Sequence, residues 1–159
     1  MMYRVIRDSR EKPKQGWFFG ETATCEGTVC DTLKTGDYSI EGLESEFSIE
    51  RKGTTGEFSH NIIEARFERE LERLNKYKWA FVILEFTYED ILNFPKGSGI
   101  PPKKWSFLRI KYKFILKKLM EYRLKYPNII FIFAGDNGKF IAEKIMRQVY
   151  GKAKKELGI

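Results

Sequence analysis

Several ionisable side chains come together in the segment TGDYSIEGLESEFSIERK, residues 35–52. Apolar and polar residues alternate on both sides of its central turn, and this period-two pattern predicts a β-hairpin. The turn pairs Tyr38 with Ile49 and places Asp37 directly opposite Glu50. The Cβ atoms of opposed residues lie about 4.5–5.5 Å apart. The two carboxylates therefore repel each other unless a cation, a proton or a basic group lies between them.

A lysine completes this group of charges. Lys52 lies two residues beyond Glu50, so its side chain is on the same face of the strand as both carboxylates. The arrangement predicts a metal site at the end of the hairpin. On residue types alone, a salt bridge between Lys52 and one carboxylate explains the pattern equally well.

Composition narrows the class of protein and of partner. The chain has 159 residues, the length of one domain, and its hydrophobic content of 42% excludes a disordered chain. A net charge of +7 favours an anionic partner, either nucleic acid or a membrane surface. No apolar run is long enough to span a membrane. His60 is the only histidine, which argues against histidine-dependent mechanisms.

Further strands and helices are predicted around the hairpin. One strand ends at Asp8, and two continuous apolar runs are typical of strands covered on both faces. The predicted strands outside the hairpin are residues 3–8, 28–33, 79–86 and 128–135. Helical spacing of apolar residues predicts helices over residues 57–77, 103–125 and 139–150. This order of elements implies an α/β fold, with a mixed sheet and helices packed on it.

Three ordered blocks resemble the XPF family of structure-specific DNA endonucleases, whose signature is D-x-R-E, then G-D, then E-R-K-x-x-x-D. The matching blocks are Asp8-Ser9-Arg10-Glu11, Gly36-Asp37-Tyr38 and Glu50-Arg51-Lys52. The stretch from Glu57 to Ile62 is similar to the family's D-L-x-x-S-I, and Arg66-Phe67 to its Arg-(Leu/Phe). Glu57 comes one residue later than the family's acid. The resemblance extends over nearly the whole chain.

The resemblance implies a single XPF-type nuclease domain over residues 1–159, without a helix-hairpin-helix domain. The implied fold is a restriction-endonuclease-like mixed β-sheet flanked by helices. The implied activity is hydrolysis of DNA phosphodiester bonds with Mg²⁺ or Mn²⁺, on branched, flapped or forked DNA in repair or recombination. Because a fold does not fix a substrate, a junction resolvase or a restriction-type nuclease on the same core is an alternative.

The resemblance also assigns roles to the charged residues. Hard cations prefer oxygen ligands, which Asp37 and Glu50 supply, with Asp8 nearby and the carbonyl of Arg51 as a further ligand. Lys52 would orient the attacking water and offset charge that develops on phosphorus. The pattern is compatible with one bound metal ion or with two. The predicted catalytic residues are Asp8, Asp37, Glu50, Arg51, Lys52 and Glu57.

Two arginines are predicted DNA contacts, each with an ordinary alternative. Arg10 either pairs with Glu11 and braces Asp8, or reaches a phosphate. Arg66, on the helix that follows the hairpin, either faces the scissile phosphate or is a solvated charge.

Residues 103–125 carry an unbalanced positive charge. Nine lysines and arginines stand against Glu121 alone. Contacts to a phosphate backbone leave such a footprint, although a solvated helix face is the ordinary alternative. The DNA contacts predicted in this segment are Lys103, Lys104, Lys111, Lys117 and Lys118.

XPF-type nuclease domains form dimers, so the resemblance implies a homodimer or a partner nuclease subunit. The predicted contact is an apolar face on Ile141, Ile145 and Tyr150, which could instead cover the sheet. A non-catalytic DNA-binding subunit is an alternative function, but degenerate subunits lose the Glu-Arg-Lys block that this chain retains. We expect a cytoplasmic protein at the host nucleoid, similar to forms carried by viruses or mobile elements.

Overall fold

The computed structural model describes residues 2–159, over which the strands form one six-stranded sheet. The strands are β1 Tyr3–Asp8, β2 Cys25–Asp31, β3 Tyr38–Ile40, β4 Phe47–Lys52, β5 Trp79–Leu84 and β6 Ile129–Phe133. Their order across the sheet is β2-β1-β3-β4-β5-β6. Neighbouring strands are parallel, except that β3 runs antiparallel to β1 and to β4. The predicted mixed sheet is therefore confirmed.

Helices cover both faces of this sheet. They are α1 Thr55–Asn61, α2 Ala65–Leu74, α3 Tyr88–Leu92, α4 Tyr112–Lys125 and α5 Gly138–Leu157. Short 3₁₀ turns span Pro102–Phe107 and Gly135–Asn137. Helices α1 to α4 pack on one face, and α5 packs on the other.

Strand β5 lies at the centre of both cores. Its side chains alternate, so that Val82 and Leu84 pack with α1 to α4, whereas Ile83 packs with α5. All three are completely buried. The prediction that this apolar run is a strand covered on both faces is confirmed. The same prediction for residues 128–135 is wrong, because β6 lies at the edge of the sheet and Ile130 is 52% exposed.

Strand direction determines which strand ends meet. Because β3 is the reversed strand, β1 and β4 run in the same direction. The carboxyl ends of β1 and β4 therefore lie at the same edge of the sheet as the amino end of β3. This edge receives Asp8 from β1, Asp37 from the residue before β3, and Glu50 to Lys52 from β4.

The predicted hairpin register is confirmed, since Tyr38 pairs with Ile49. Both side chains are completely buried. The predicted strand at 28–33 is observed earlier, as β2 at Cys25–Asp31.

The single helix predicted over residues 57–77 is wrong, because two helices occupy this segment. Ile62 and Phe67 are five residues apart and are both buried in the same core. Five residues of continuous helix would rotate their side chains about 140° apart. The break between Asn61 and Ala65 keeps both side chains directed at the sheet.

The helix predicted over residues 103–125 also begins too early. Pro102–Phe107 is a 3₁₀ turn, Leu108 is extended, and α4 starts only at Tyr112. Helix α3 was not predicted, and α5 continues beyond the predicted end at residue 150 to Leu157.

The face predicted for a dimer contact serves the sheet. Ile141, Ile145 and Tyr150 are partly buried against the core under α5, and the ring of Tyr150 lies 5.6 Å from that of Tyr3. The alternative stated above, that this face covers the sheet, is therefore the one observed. Within residues 2–159, no helix has the length and apolarity needed to cross a bilayer.

A buried arginine holds the loop that follows β1. Arg7 is 2% exposed, and its guanidinium donates hydrogen bonds to the carbonyls of Trp17, Glu11, Lys12 and Gln15. The planar guanidinium group thus fixes residues 11–17, a segment with Pro13 and Gly16 that forms neither a helix nor a strand.

We expect Arg7→Lys to lower the free energy of unfolding by about 2 kcal/mol, because an ammonium group cannot reproduce the planar fork and leaves buried carbonyls without donors. Arg4→Lys on the same strand is the matched control. Arg4 makes partly exposed ion pairs with Glu26 and Glu41, so its replacement should change stability by no more than about 0.5 kcal/mol. Urea denaturation measures both values, and equal losses would contradict the role of Arg7.

Candidate active site

A polar cleft of about 320 Å³ opens at the sheet edge where β1 and β4 end and β3 begins. It gathers most of the residues predicted to do chemistry. These are Asp8, Arg10, Asp37, Glu50, Arg51, Lys52, Glu57 and Arg66. The predicted DNA-binding lysines of residues 103–118 lie outside this cleft.

Backbone bonds place Asp37 across from Glu50. The amide of Asp37 donates to the carbonyl of Ile49 over 2.8 Å, and its carboxylate Oδ2 accepts from the amide of Arg51 over 2.7 Å. Asp37 is thus bonded to the residues on either side of Glu50. The carboxyl groups of Asp37 and Glu50 are close enough for the charge of Glu50 to raise the pKa of Asp37, as the predicted opposition requires.

The residue before Asp37 must be glycine. Gly36 has φ of +84°, and a Cβ atom there would lie 2.0 Å from Oγ of Ser48. Ser48 is buried and donates to the carbonyl of Thr35 over 2.9 Å, so it cannot move aside easily. Gly36 therefore lets the chain approach β4 closely enough for Asp37 to reach Glu50.

The two opposed carboxyl groups resist ionising together. Burial, and then the charge of Glu50, raise the pKa of Asp37 well above its usual range. Burial also raises the pKa of Glu50, although Lys52 acts in the opposite direction. The pair binds a proton, or another positive charge, more readily than two separate carboxylates would.

Lys52 provides part of that positive charge. Its Nζ lies 3.5 Å from Oε1 of Glu50 and 4.8 Å from the centre of the Phe67 ring, and the residue is 6% exposed. Burial acts to lower the pKa of Lys52, but the carboxylates of Glu50, Glu57 and Asp37 raise it overall. Lys52 is therefore a buried cation at neutral pH.

The side chain of Arg51 points to the opposite face of β4. Its Nε lies 2.5 Å from Oε1 of Glu85, its Nη1 lies 3.9 Å from Oε2 of Glu11, and its guanidinium carbon lies 5.9 Å from the centre of the Trp17 ring. The indole of Trp17 donates to Oε2 of Glu85 over 3.2 Å. The side chain of Arg51 thus anchors the end of β4, while its backbone amide holds Asp37.

Asp8 and Arg10 form an ion pair. Of the two alternatives that the sequence left open for Arg10, the structure shows the one in which it braces Asp8. Arg10 donates to both oxygens of Asp8, over 2.9 and 3.2 Å, and to the carbonyl of Leu33. The amide of Leu33 donates to Oδ1 of Asp8. The predicted pairing of Arg10 with Glu11 is wrong, because Glu11 lies beside Arg51 on the other side of the loop.

Glu57 closes the end of the cleft at α1. Its carboxylate accepts a hydrogen bond from the amide of Gly53 over 2.7 Å, and its own amide donates to the capping hydroxyl of Thr54. Glu57 therefore fixes the turn after Lys52 and still lines the cleft.

Comparison with known proteins bears on this cleft. The model of the ERCC4 domain family matches residues 7–141, which include every residue that lines the cleft. The chain belongs to the ERCC4 domain family. No curated protein matches this chain.

Two solved structures are similar to this ERCC4 domain. XPF from Aeropyrum pernix matches with a TM-score of 0.61 and 17% identity, over 97% of this chain and 68% of that one. XPF from Aeropyrum pernix in complex with DNA matches with a TM-score of 0.57 and 16% identity, over 94% of this chain and 66% of that one. The chain thus spans about two thirds of their length. The predicted XPF-type nuclease domain and its fold are confirmed.

The ERCC4 domain also contains cleft residues that were not predicted to act. Glu70 and Arg73 follow Arg66 at helical spacing on α2, and all three line the cleft. That spacing could have identified them. Glu85 directly follows the buried strand β5, and an acidic residue at the end of a buried strand could also have been identified from the sequence. Oε2 of Glu11 is buried and accepts no hydrogen bond from the described residues.

Two of the predicted DNA-binding lysines are not free of acidic neighbours. Lys117 lies 3.9 Å from Glu121, and Lys118 lies 3.3 Å from Glu68 and 3.6 Å from Glu121. The positive charge of this segment is therefore less unbalanced than the sequence indicated, because Glu68 joins Glu121 as an acidic partner. Glu68 belongs to α2, so only the packing of α4 on α2 reveals it.

The raised pKa values predict how stability depends on pH without metal. Below about pH 3 both carboxyl groups are protonated in the folded and the unfolded protein, so their repulsion costs nothing. The cost grows as pH rises from the ordinary pKa values of the unfolded chain to the raised pKa values of the folded protein, and it persists above them. We expect Asp37→Asn to unfold at a higher temperature than wild type at neutral pH in EDTA, and at the same temperature near pH 3. Thermal melts across this range measure the difference; a less stable variant at neutral pH would contradict it.

The constraint at Gly36 predicts a difference between two glycine variants. Gly42→Ala should cost about 1 kcal/mol, because φ is +91° there and nothing lies within 4 Å of the added Cβ. Gly36→Ala should cost about 2–4 kcal/mol, because the contact with Ser48 adds to the backbone strain. Chemical denaturation measures both, and equal costs would show that the Ser48 contact imposes no constraint.

Proposed function

We propose that this protein is a divalent-metal-dependent DNA endonuclease that hydrolyses phosphodiester bonds in branched, flapped or forked DNA. The observation that carries the proposal is the half-buried Asp37 opposed to the buried Glu50 beside the cation of Lys52, in a polar cleft. The XPF-type nuclease domain supports this reading of the cleft.

The donor set of the cleft fits Mg²⁺ or Mn²⁺. Asp37 and Glu50 supply carboxylate oxygens at one point, and their raised pKa values favour a positive charge there. Residues 2–159 contain no cluster of three His, Cys, Asp or Glu arranged around one point. Mg²⁺ is commonly bound by only one or two carboxylates and keeps several waters, so the pair suffices. The carbonyl of Arg51 is the further proposed ligand.

Asp8 supports this pair in the proposal. Both of its oxygens accept hydrogen bonds from Arg10 or Leu33, so its charge is largely used in holding the β1 end. We assign Asp8 the role of fixing that wall of the cleft and adding negative charge near the metal. Glu57 likewise acts by fixing the turn after Lys52.

Asp37, Glu50 and the carbonyl of Arg51 would hold the ion, which would supply Lewis-acid polarisation of a phosphate oxygen and a water of lowered pKa. Lys52 keeps its proton at neutral pH, so it does not act as the base that receives the water's proton. Its role is to offer a fixed positive charge to the phosphate oxygens as negative charge grows on them. Arg66, at the mouth of the cleft and 68% exposed, is placed to contact the substrate backbone.

Binding along the DNA backbone falls to lysines outside the cleft. Among the described residues, Lys103, Lys104 and Lys111 have no carboxylate within 4.0 Å, unlike Lys117 and Lys118. Charges that no acidic side chain neutralises contribute most to phosphate contacts and to the release of counterions. We therefore propose Lys103, Lys104 and Lys111 as the stronger contacts, and Lys117 and Lys118 as weaker ones. Such contacts recognise DNA shape and not base sequence.

We also propose a homodimer, although its contact differs from the predicted one. Strand β6 is the last strand of the described sheet, and its Ile130 is 52% exposed. An exposed edge strand with an apolar side chain is able to pair with a second copy. Light scattering at micromolar concentration gives the mass, and a monomer with full activity would exclude this assembly.

The test is cleavage of flap, fork, junction and linear duplex DNA with Mg²⁺, Mn²⁺ or EDTA. We expect cleavage of the branched substrates with either metal and none in EDTA. Asp37→Asn and Glu50→Gln should abolish cleavage yet retain DNA affinity, because each removes a ligand together with a repulsive charge. Glu44→Gln is the matched control, since this exposed residue lies in the turn between β3 and β4, at the other end of the hairpin.

The same variants separate a catalytic protein from a binding subunit. Mg²⁺ should raise the unfolding temperature of wild type and of Glu44→Gln, but not that of Asp37→Asn. Cleavage by Asp37→Asn at the wild-type rate would overturn the catalytic assignment. Wild-type protein that binds branched DNA but cleaves none of the substrates would indicate a non-catalytic subunit.

A further inference from the structure

One segment of the chain combines positive charge with an exposed aromatic ring. Residues 91–120 contain no acidic residue. They carry eight cations, which are Lys96, Lys103, Lys104, Arg109, Lys111, Lys113, Lys117 and Lys118. Phe107 lies in the middle of this acid-free segment and is 80% exposed. A phenylalanine ring so exposed does not gain the free energy that burial of its apolar surface would give.

The exposure of Phe107 follows from a fixed local structure. Trp105, on the same 3₁₀ turn, is directed inward, and its indole donates to the carbonyl of Ile100 over 2.8 Å. The next residues, Leu108 and Ile110, pack against the core beneath α4. The amide of Leu108 donates to the carbonyl of Trp105 over 3.1 Å. Both flanks of Phe107 are therefore anchored, and its ring is held pointing away from the protein.

The acid-free segment is seated against a wall of the cleft. The carbonyl of Ser98 lies so close to Gly56 that a Cβ atom at Gly56 would approach it to 2.3 Å. Gly56 is in the first turn of α1, between the cap Thr54 and the cleft residue Glu57. That turn directly follows Lys52 at the end of β4. The segment that presents Phe107 thus contacts, at Ser98, the helical turn that follows the proposed catalytic strand.

We propose that Phe107 stacks on an unpaired base of the DNA, while Lys103, Lys104 and Arg109 contact the phosphates of the same strand. Aromatic rings stack on every base, so such a contact is independent of sequence. In a linear duplex the bases are already stacked on each other, whereas a flap or a fork offers a free base next to the duplex. The inference rests on the proposed function and adds the feature by which branched DNA is selected.

Charge favours DNA over a second protein copy as the occupant of this surface. Pairing two copies through the acid-free segment would bring like charges together, which costs several kcal/mol in protein interfaces. A phosphate backbone supplies the opposite charge along the same surface. The surface therefore matches a nucleic-acid strand in both its charge and its ring.

The experiment measures binding of the full chain in EDTA, so that no cleavage occurs. We expect Phe107→Ala to lose about five- to 150-fold in affinity for a flap whose unpaired base adjoins the duplex, and to bind linear duplex as wild type does. Phe107→Trp should retain the affinity for the flap, whereas Phe107→Leu should lose most of it. Leu124→Ala is the matched control, because Leu124 is 85% exposed between Arg123 and Lys125 at the far end of α4.

A second readout reports stacking directly. Iodouracil at the unpaired position forms a photochemical cross-link to an aromatic ring stacked on it, and mass spectrometry should map this link to Phe107. The link should be absent in Phe107→Leu and present in Leu124→Ala. Equal flap affinity in wild type and Phe107→Ala would overturn the proposal, as would a cross-link at another residue. Loss of a dimer in Phe107→Ala with unchanged DNA binding would assign the ring to a protein contact instead.

These outcomes are separate from those of the cleavage test. If wild type failed to cleave any DNA but cross-linked through Phe107, the catalytic proposal would fail and the stacking proposal would hold. If Asp37→Asn abolished cleavage but Phe107→Ala bound the flap normally, the reverse would be true.

Discussion

The opposition of Asp37 and Glu50 is the constraint on which the other features of the cleft depend. Two opposed carboxyl groups, one buried and one half-buried, are unfavourable unless positive charge is near them. The chain accepts this cost by placing rigid supports around the pair. Gly36 allows the close approach, the amide of Arg51 holds Asp37, and Lys52 supplies a nearby cation. Such strain at one point is typical of functional sites.

Strand alternation lets β4 serve two networks at once. Glu50 and Lys52 project toward α2 on one face, and Arg51 projects to the other, where it pairs with Glu85 and lies near Trp17. The loop that carries Trp17 is itself held by Arg7. The second network therefore fixes the position of the first without contributing a side-chain ligand to the proposed metal site. A substitution in the loop after β1 can therefore alter the position of β4 at the cleft through Trp17, Glu85 and Arg51.

In the proposed function, recognition of DNA is divided between the cleft and the acid-free segment. The cleft presents both acids and bases, whereas residues 91–120 present cations without acids. Pairing of Lys117 and Lys118 with Glu68 and Glu121 shifts the free charge toward the 3₁₀ turn and the start of α4. That part of the segment also holds the exposed ring of Phe107. The unpaired charge and the ring are thus close together along the chain.

The sequence by itself determined the register of the β3–β4 hairpin, the pairing of Tyr38 with Ile49, and the burial of strand β5 on both faces. These follow from alternation and from continuous apolar runs, which depend on neighbours along the chain. It also gave the family, because the three signature blocks are local. Tertiary structure alone decided that Arg10 pairs with Asp8, that Glu11 and Glu85 flank Arg51, and that Glu68 neutralises Lys118. Each of these contacts joins side chains whose positions depend on loop paths and helix packing, and charge patterns along a sequence do not specify either.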